Sequence, residues 1–92
     1  MEINMKIKDG FMLREVAGSY VVVAVGERSG EFNGMVNLNA SGAFLWQTLE
    51  KGADREDLIS ALFDNYEVSK EQAASDVDKF ITIVKENGFV ED

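Results

Sequence analysis

Residues 35–49 read MVNLNASGAFLWQTL. Two periods meet in this stretch. Val36 and Leu38 point one way and Met35 and Asn37 the other, which is the alternation of a strand. From Leu38 onward, Gly42, Ala43, Leu45, Trp46 and Leu49 recur on one face of a helix. Asn39 stands at the switch, and its side-chain oxygen suits it to accept from a free N–H of the first helical turn. A strand therefore runs straight into a helix anchored by the only Trp of the chain. The residues before this stretch read as strand, and those after it read as helix.

Upstream, residues 20–25 read YVVVAV, β-branched and apolar on both faces, as a central strand does. Before them FMLREV, residues 11–16, alternates Phe11, Leu13 and Glu15 against Met12, Arg14 and Val16. The turn signal Ala17-Gly18 makes these two runs a hairpin. Residues 26–34, GERSGEFNG, form a loop with three glycines, in which Phe32 either tucks onto the core or lies exposed. Residues 1–10 are polar and mixed, and read either as a loose arm or as a short strand through Met5 and Ile7. Three strands joined by short connections give an antiparallel meander with the last strand, residues 35–38, at an edge.

Downstream, Lys51-Gly52 stops the first helix. Asp54 caps the second, with Glu56 and Asp57 in its first turn, where negative charge is favoured. Its apolar face is Leu58, Ile59, Leu62, Phe63 and Tyr66. Ser69 caps the third, and Gln72 three residues on completes the pattern of a capping box. The apolar face there is Ala73, Val77, Phe80, Ile81 and Val84. Gly88 ends this helix, and Phe89 is placed to fold back on Val84. Residues 89–92 read as a briefly extended tail. The order β-β-β-α-α-α predicts an α+β fold, a three-stranded antiparallel sheet followed by three helices, winged-helix-like, in a single domain spanning residues 1–92. A sheet this small needs helices against it to be stable.

Composition removes whole classes of function. The chain has 92 residues and neither Cys nor His. Zinc and most transition-metal sites need those side chains, so no metal and no cofactor is expected. No apolar run approaches the ~20 residues that span a bilayer. The first ten residues lack the apolar core of a signal peptide, so the expected location is cytoplasmic, with no membrane partner. The net charge of −8 is uneven. Residues 1–34 hold five acids and four bases, whereas residues 35–92 hold twelve acids and five bases. Nucleic-acid affinity draws on Lys and Arg at phosphates, and the third helix sets Lys70, Lys79 and Lys85 against Glu71, Asp76, Asp78 and Glu86. No nucleic-acid partner is expected.

Catalysis has little to work with either. General acid–base chemistry usually wants a His or a carboxylate shifted by burial. The densest acidic cluster, Asp54, Glu56 and Asp57, is explained by capping. The serines have no base arranged to activate them, and Gly26, Gly30 and Gly34 do not match a phosphate loop. The sequence therefore predicts no enzyme and no catalytic residue.

What remains is a surface for another polypeptide. The strand Met35, Val36, Asn37, Leu38 has neither charge nor Pro to blunt its outer edge, and such an edge is free to pair with a peptide. On the third helix Ile83 lies off the apolar stripe, on a side shared with Asp76, Lys79 and Asn87. It reads equally as the flank of the core or as the wall of a groove. Phe44, also off its helix's stripe, reads as core filling.

The segment VNLNASGAFLW, residues 36–46, resembles the most recognisable part of PqqD-like proteins. DREDLISALFDNY (residues 54–66) and AASDVDKFITIVKENGFV (residues 73–90) fit the same pattern, so the likeness runs from about Phe11 to near the end. The resemblance implies a RiPP recognition element, a domain that holds the leader of a ribosomally made precursor peptide while a radical enzyme or another maturase modifies the core region. It implies that the leader adds as a strand to the edge of Met35, Val36, Asn37 and Leu38. Asp76, Lys79, Phe80 and Ile83 would line the helical side. It leaves open whether the product is pyrroloquinoline quinone or another peptide-derived compound. The expected function is thus a non-catalytic peptide chaperone, with a precursor leader peptide and a peptide-modifying enzyme as partners. The alternatives are a winged-helix regulator binding DNA or protein, and a homodimer joined through the same edge. An acidic helical half would repel a strongly acidic leader.

Overall fold

The computed structural model describes residues 4–26 and 35–91. In chain order the elements are β1 (Lys6–Ile7), β2 (Phe11–Val16), β3 (Ser19–Ala24), β4 (Val36–Leu38), α1 (Ala40–Leu49), α2 (Arg55–Asn65), α3 (Lys70–Glu86) and β5 (Val90–Glu91). Strands β2, β3 and β4 form an antiparallel sheet in that order, and three helices come after it in the chain. The hairpin between β2 and β3 turns on Ala17 and Gly18, both at positive φ (52° and 82°). A two-residue turn with both φ positive matches the twist of the strands it joins. Gly18 enters that region freely, whereas Ala17 does so at some strain. The loop predicted over residues 26–34 lies, from residue 27 on and with Phe32, outside the described residues.

The first ten residues do not form a loose arm along residues 4–7. Met5 bridges to Ala53, with N–H···O bonds of 2.8 and 3.0 Å in both directions. Lys6 and Ile7 pair antiparallel with Glu91 and Val90. Arm and tail thus make a two-stranded ribbon of their own, separate from the main sheet. Both halves of this ribbon read as extended segments in the sequence, but nothing in their spacing says that they pair with each other.

The helices start and stop where the side chains dictate. Asn39 Oδ1 accepts from Gly42 N at 2.8 Å. Asp54 Oδ1 accepts from Asp57 N at 2.8 Å, and Asp57 returns the contact to Asp54 N at 3.2 Å, a closed capping box. The box predicted at Ser69 closes on one side only. Ser69 Oγ accepts from Gln72 N at 3.0 Å, while the Gln72 amide turns forward and donates to Asp76 Oδ1 at 2.8 Å. At the end of α3, Phe89 N reaches Val84 O at 2.9 Å and Gly88 N reaches Lys85 O at 3.1 Å. These two bonds are those of a Schellman motif, with Gly88 at φ 70° as its left-handed residue.

The core joins Val22 and Leu38 of the sheet to Leu45, Trp46 and Leu49 of α1, Leu58 and Leu62 of α2, and Ala73, Val77, Phe80 and Val84 of α3. Phe89 closes it. Its ring is fully buried, 4.8 Å from Phe11 and 5.7 Å from Trp46 by centroid, the latter edge-on. The Trp46 Nε1–H is buried with no acceptor among the described residues. The indole is therefore held by packing, against a desolvation cost of about 1–3 kcal/mol. Two residues of the predicted α2 face are not core. Phe63 is 41% exposed and Tyr66 37% exposed. Lys70 Nζ lies 5.6 Å from the Phe63 centroid, and Tyr66 meets half-buried Phe44 at 5.5 Å. Phe89→Ala is expected to lower unfolding free energy by about 3–5 kcal/mol in urea titration, since it removes the contacts that tie tail, sheet and α1 together.

Candidate functional site

Strand β4 pairs with β3 through Tyr20↔Leu38, Val21↔Asn37 and Val22↔Val36. Among the described residues its other side has no strand partner. The arm and tail, the two segments best able to seal it, are bonded to each other instead. The edge is short because Asn39 captures Gly42 N–H and turns the chain into α1.

Beside this edge lies an open cleft of about 190 Å³ lined by Asn37, Leu38, Asn39, Ser41, Gly42, Leu45, Asp76, Lys79, Phe80 and Ile83. Six of the eight sequence-predicted site residues meet here: Asn37, Leu38, Asp76, Lys79, Phe80 and Ile83. Leu38 and Phe80 are buried and serve the core as well. Ile83 is half-buried and packs against the core while facing the cleft, so it is core flank and groove wall at once. Asp76, Lys79, Phe80 and Ile83 come together because residues three and four apart share a helix face.

Met35 and Val36 are not among the lining residues. Val36 is half-buried and packs on the core. Met35 is 69% exposed and precedes the strand. Conversely, Asn39, Ser41, Gly42 and Leu45 line the cleft but are not among the residues predicted for the site. Their signal is present in the strand–helix switch. A helix that begins one residue after an edge strand must place its first turn at the end of that edge. Gly42 also has a steric reason to lack a side chain, since a Cβ would stand 3.1 Å from Asn39 Oδ1 and 3.3 Å from Leu38 Cβ.

The cleft's lining is mixed: Leu38, Leu45, Phe80 and Ile83 give apolar surface, Asn37, Asn39 and Ser41 polar groups, and Asp76 and Lys79 one charge of each sign, with Asp76 already accepting from Gln72. Among the described residues no group of three or more Asp, Glu, His or Cys is placed to hold a metal ion. No helix there is long and apolar enough to cross a membrane. Shifted titrations are seen at an exposed pair outside the cleft lining, Arg55 and Asp78, joined at 2.7 Å (Nε to Oδ1) and 3.2 Å (Nη2 to Oδ2). The hydrogen bond from Arg55 holds the Asp78 carboxyl below its ordinary value, and the same bond raises Arg55. This pair ties α2 to α3.

A family model described as coenzyme PQQ synthesis protein D (PqqD) matches residues 19–90. Comparison with curated proteins gives no match. Two solved structures superpose with a TM-score of 0.72. One is TbiB1 in complex with the TbiA(beta) leader peptide, 21% identical, covering 94% of each chain. The other is lasso peptide synthetase B1 complexed with the leader peptide, 25% identical, covering 96% of this chain and 98% of that one.

The Asp78 carboxyl has a lower pKa in the folded chain than unfolded, so its contribution to stability is present above the unfolded value. It is lost as pH falls through the lowered folded value. The gap in urea midpoint between the parent and Asp78→Asn should therefore be widest near neutral pH and close on acidification, and added salt should narrow it.

Proposed function

This chain belongs to the PqqD family, and from that membership, with the free edge of β4 and the cleft beside it, we propose a non-catalytic peptide-binding role. The chain captures the leader of a ribosomally synthesised precursor peptide by β-strand addition and presents it to a modifying enzyme. The leader lies along Met35, Val36, Asn37 and Leu38, and its side chains enter the groove of Asp76, Lys79, Phe80 and Ile83. Main-chain pairing supplies affinity and the groove supplies selectivity. The modifying enzyme is a radical enzyme or another maturase, and both partners meet the chain in the cytoplasm.

One observation carries this reading. An uncharged edge strand is left without a partner among the described residues, directly beside a cleft that offers Leu38, Leu45, Phe80 and Ile83 among polar neighbours. A sheet edge of this kind is ordinarily blunted by charge or Pro, and β4 has neither. The two superposed structures are each complexes with a leader peptide, which supports the same assignment. A DNA-binding role is not favoured, since the exposed side of α3 carries acids among its lysines and would repel phosphate.

Paired substitutions test the proposal. Ile83→Glu puts a charge into the cleft wall from a half-buried position. It is expected to leave the circular dichroism of the chain unchanged and to weaken leader binding at least about tenfold by calorimetry. Val77→Asp buries an unpaired charge in the core and is expected to unfold the chain. Leader binding by Ile83→Glu as tight as the parent's would rule the groove out.

A further inference from the structure

The direction of each backbone group on the sheet's free edge can be derived from the hairpin. A two-residue turn is flanked by a pair that exchanges both hydrogen bonds, and such pairs alternate with non-bonded pairs along an antiparallel ladder. Val16 faces Ser19 across the turn. At the far end of the same ladder Val25 N donates to Gly10 O at 2.8 Å. Both ends set the same phase, so Arg14–Val21 and Met12–Val23 are the bonded pairs between them. Tyr20 and Val22 then turn their N–H and C=O toward β4, where Leu38 and Val36 stand opposite them. Asn37, opposite Val21, is left with both groups directed outward. Of the two neighbours of the same parity, Met35 precedes the strand, and the carbonyl of Asn39 already accepts from Ala43 N at 2.9 Å.

We infer that, within β4, the backbone N–H and C=O of Asn37 form the one two-bond docking point of the edge, and that it fixes the register of a bound peptide. The inference deepens the peptide-binding reading above and rests on it. An antiparallel guest exchanges both bonds between one of its residues and Asn37. The side chain of that residue shares the face of Asn37, away from the helices. The guest residues on either side stand opposite Leu38 and Val36 and turn inward. The one facing Leu38 comes first in the guest's sequence and meets the cleft of Leu45, Phe80 and Ile83. At about 190 Å³ that open cleft has room for one large side chain, and Leu38, Leu45, Phe80 and Ile83 offer it apolar contact. The guest class is therefore an extended peptide with a large apolar residue, a residue of free choice, and a second apolar residue. A slip by one position would turn both apolar residues to solvent.

Two experiments test this. The first needs no ligand. Amide hydrogen exchange on the free chain, read by NMR, should show Asn37 exchanging fast while Val36 and Leu38 are protected. The opposite order overturns the register, whatever the chain binds. The second uses a peptide selected on the full chain from a displayed random library. Asn37→Pro removes the outward N–H and sets the proline ring where the guest would lie. No bond to β3 uses that N–H, and an edge strand tolerates proline there. This variant should therefore keep the parent's circular dichroism and lose at least about tenfold in affinity. Asn37→Ala, which keeps the backbone N–H, should lose clearly less affinity than Asn37→Pro. Val36→Pro takes a bond from β3 and should destabilise the sheet. If Asn37→Pro unfolds as readily as Val36→Pro, or binds as the parent does, the inference fails, and the peptide-binding reading survives wherever Ile83→Glu still weakens binding. A library that yields no peptide sensitive to Ile83→Glu overturns that reading and the register with it.

Discussion

The bond from Gly42 N–H to Asn39 Oδ1, 2.8 Å long, governs more of this molecule than its size suggests. It satisfies a donor that the first helical turn would otherwise leave open. In doing so it ends β4 after three residues and swings the chain beneath the sheet. The swing delivers Leu45, Trp46 and Leu49 into the core. It also sets the first turn of α1 at the end of the edge, where Ser41 and Gly42 become part of the cleft. One capping side chain thus builds the floor of the core and one end of the candidate site.

The second closure is made at the other end of the chain. Gly88 takes a left-handed conformation that lets Phe89 turn back across Val84. The ring then sits between Phe11 of the sheet and Trp46 of α1. That contact spans nearly the whole sequence, and it explains the ribbon. Once Phe89 is fixed, its carbonyl accepts from Lys8 N at 2.8 Å, and Val90 falls into register with Ile7. Arm and tail thus pair where Phe89 is anchored.

Local rules make much of this legible in the sequence. The strand–helix switch, the three N-caps at Asn39, Asp54 and Ser69, and the stop at Gly88 each depend on residues within a few positions of one another, and the structure realises them. Relations between distant segments leave no such trace. Ile7 and Val90 pair because of packing at Phe89, and no short-range pattern announces that. Phe63 and Tyr66 have helical spacing like Leu58 and Leu62, but their ring neighbours, Lys70 and half-buried Phe44, leave them partly exposed. Gln72 has a nearer partner in Asp76 than the cap of its own helix. In the candidate site, the α3 residues are legible as one face of a helix. Ser41, Gly42 and Leu45 read as helix start and core, and only their position against the end of β4 makes them cleft residues.

The ribbon between Lys6–Ile7 and Val90–Glu91 also bears on architecture at a larger scale. It brings the incoming and outgoing chain to one corner, with Lys6 facing Glu91. Ends held side by side are what lets a unit be spliced into a longer polypeptide with little distortion. The margin of the sheet at β4 takes no part in that junction, so insertion at that corner would leave the margin uncovered.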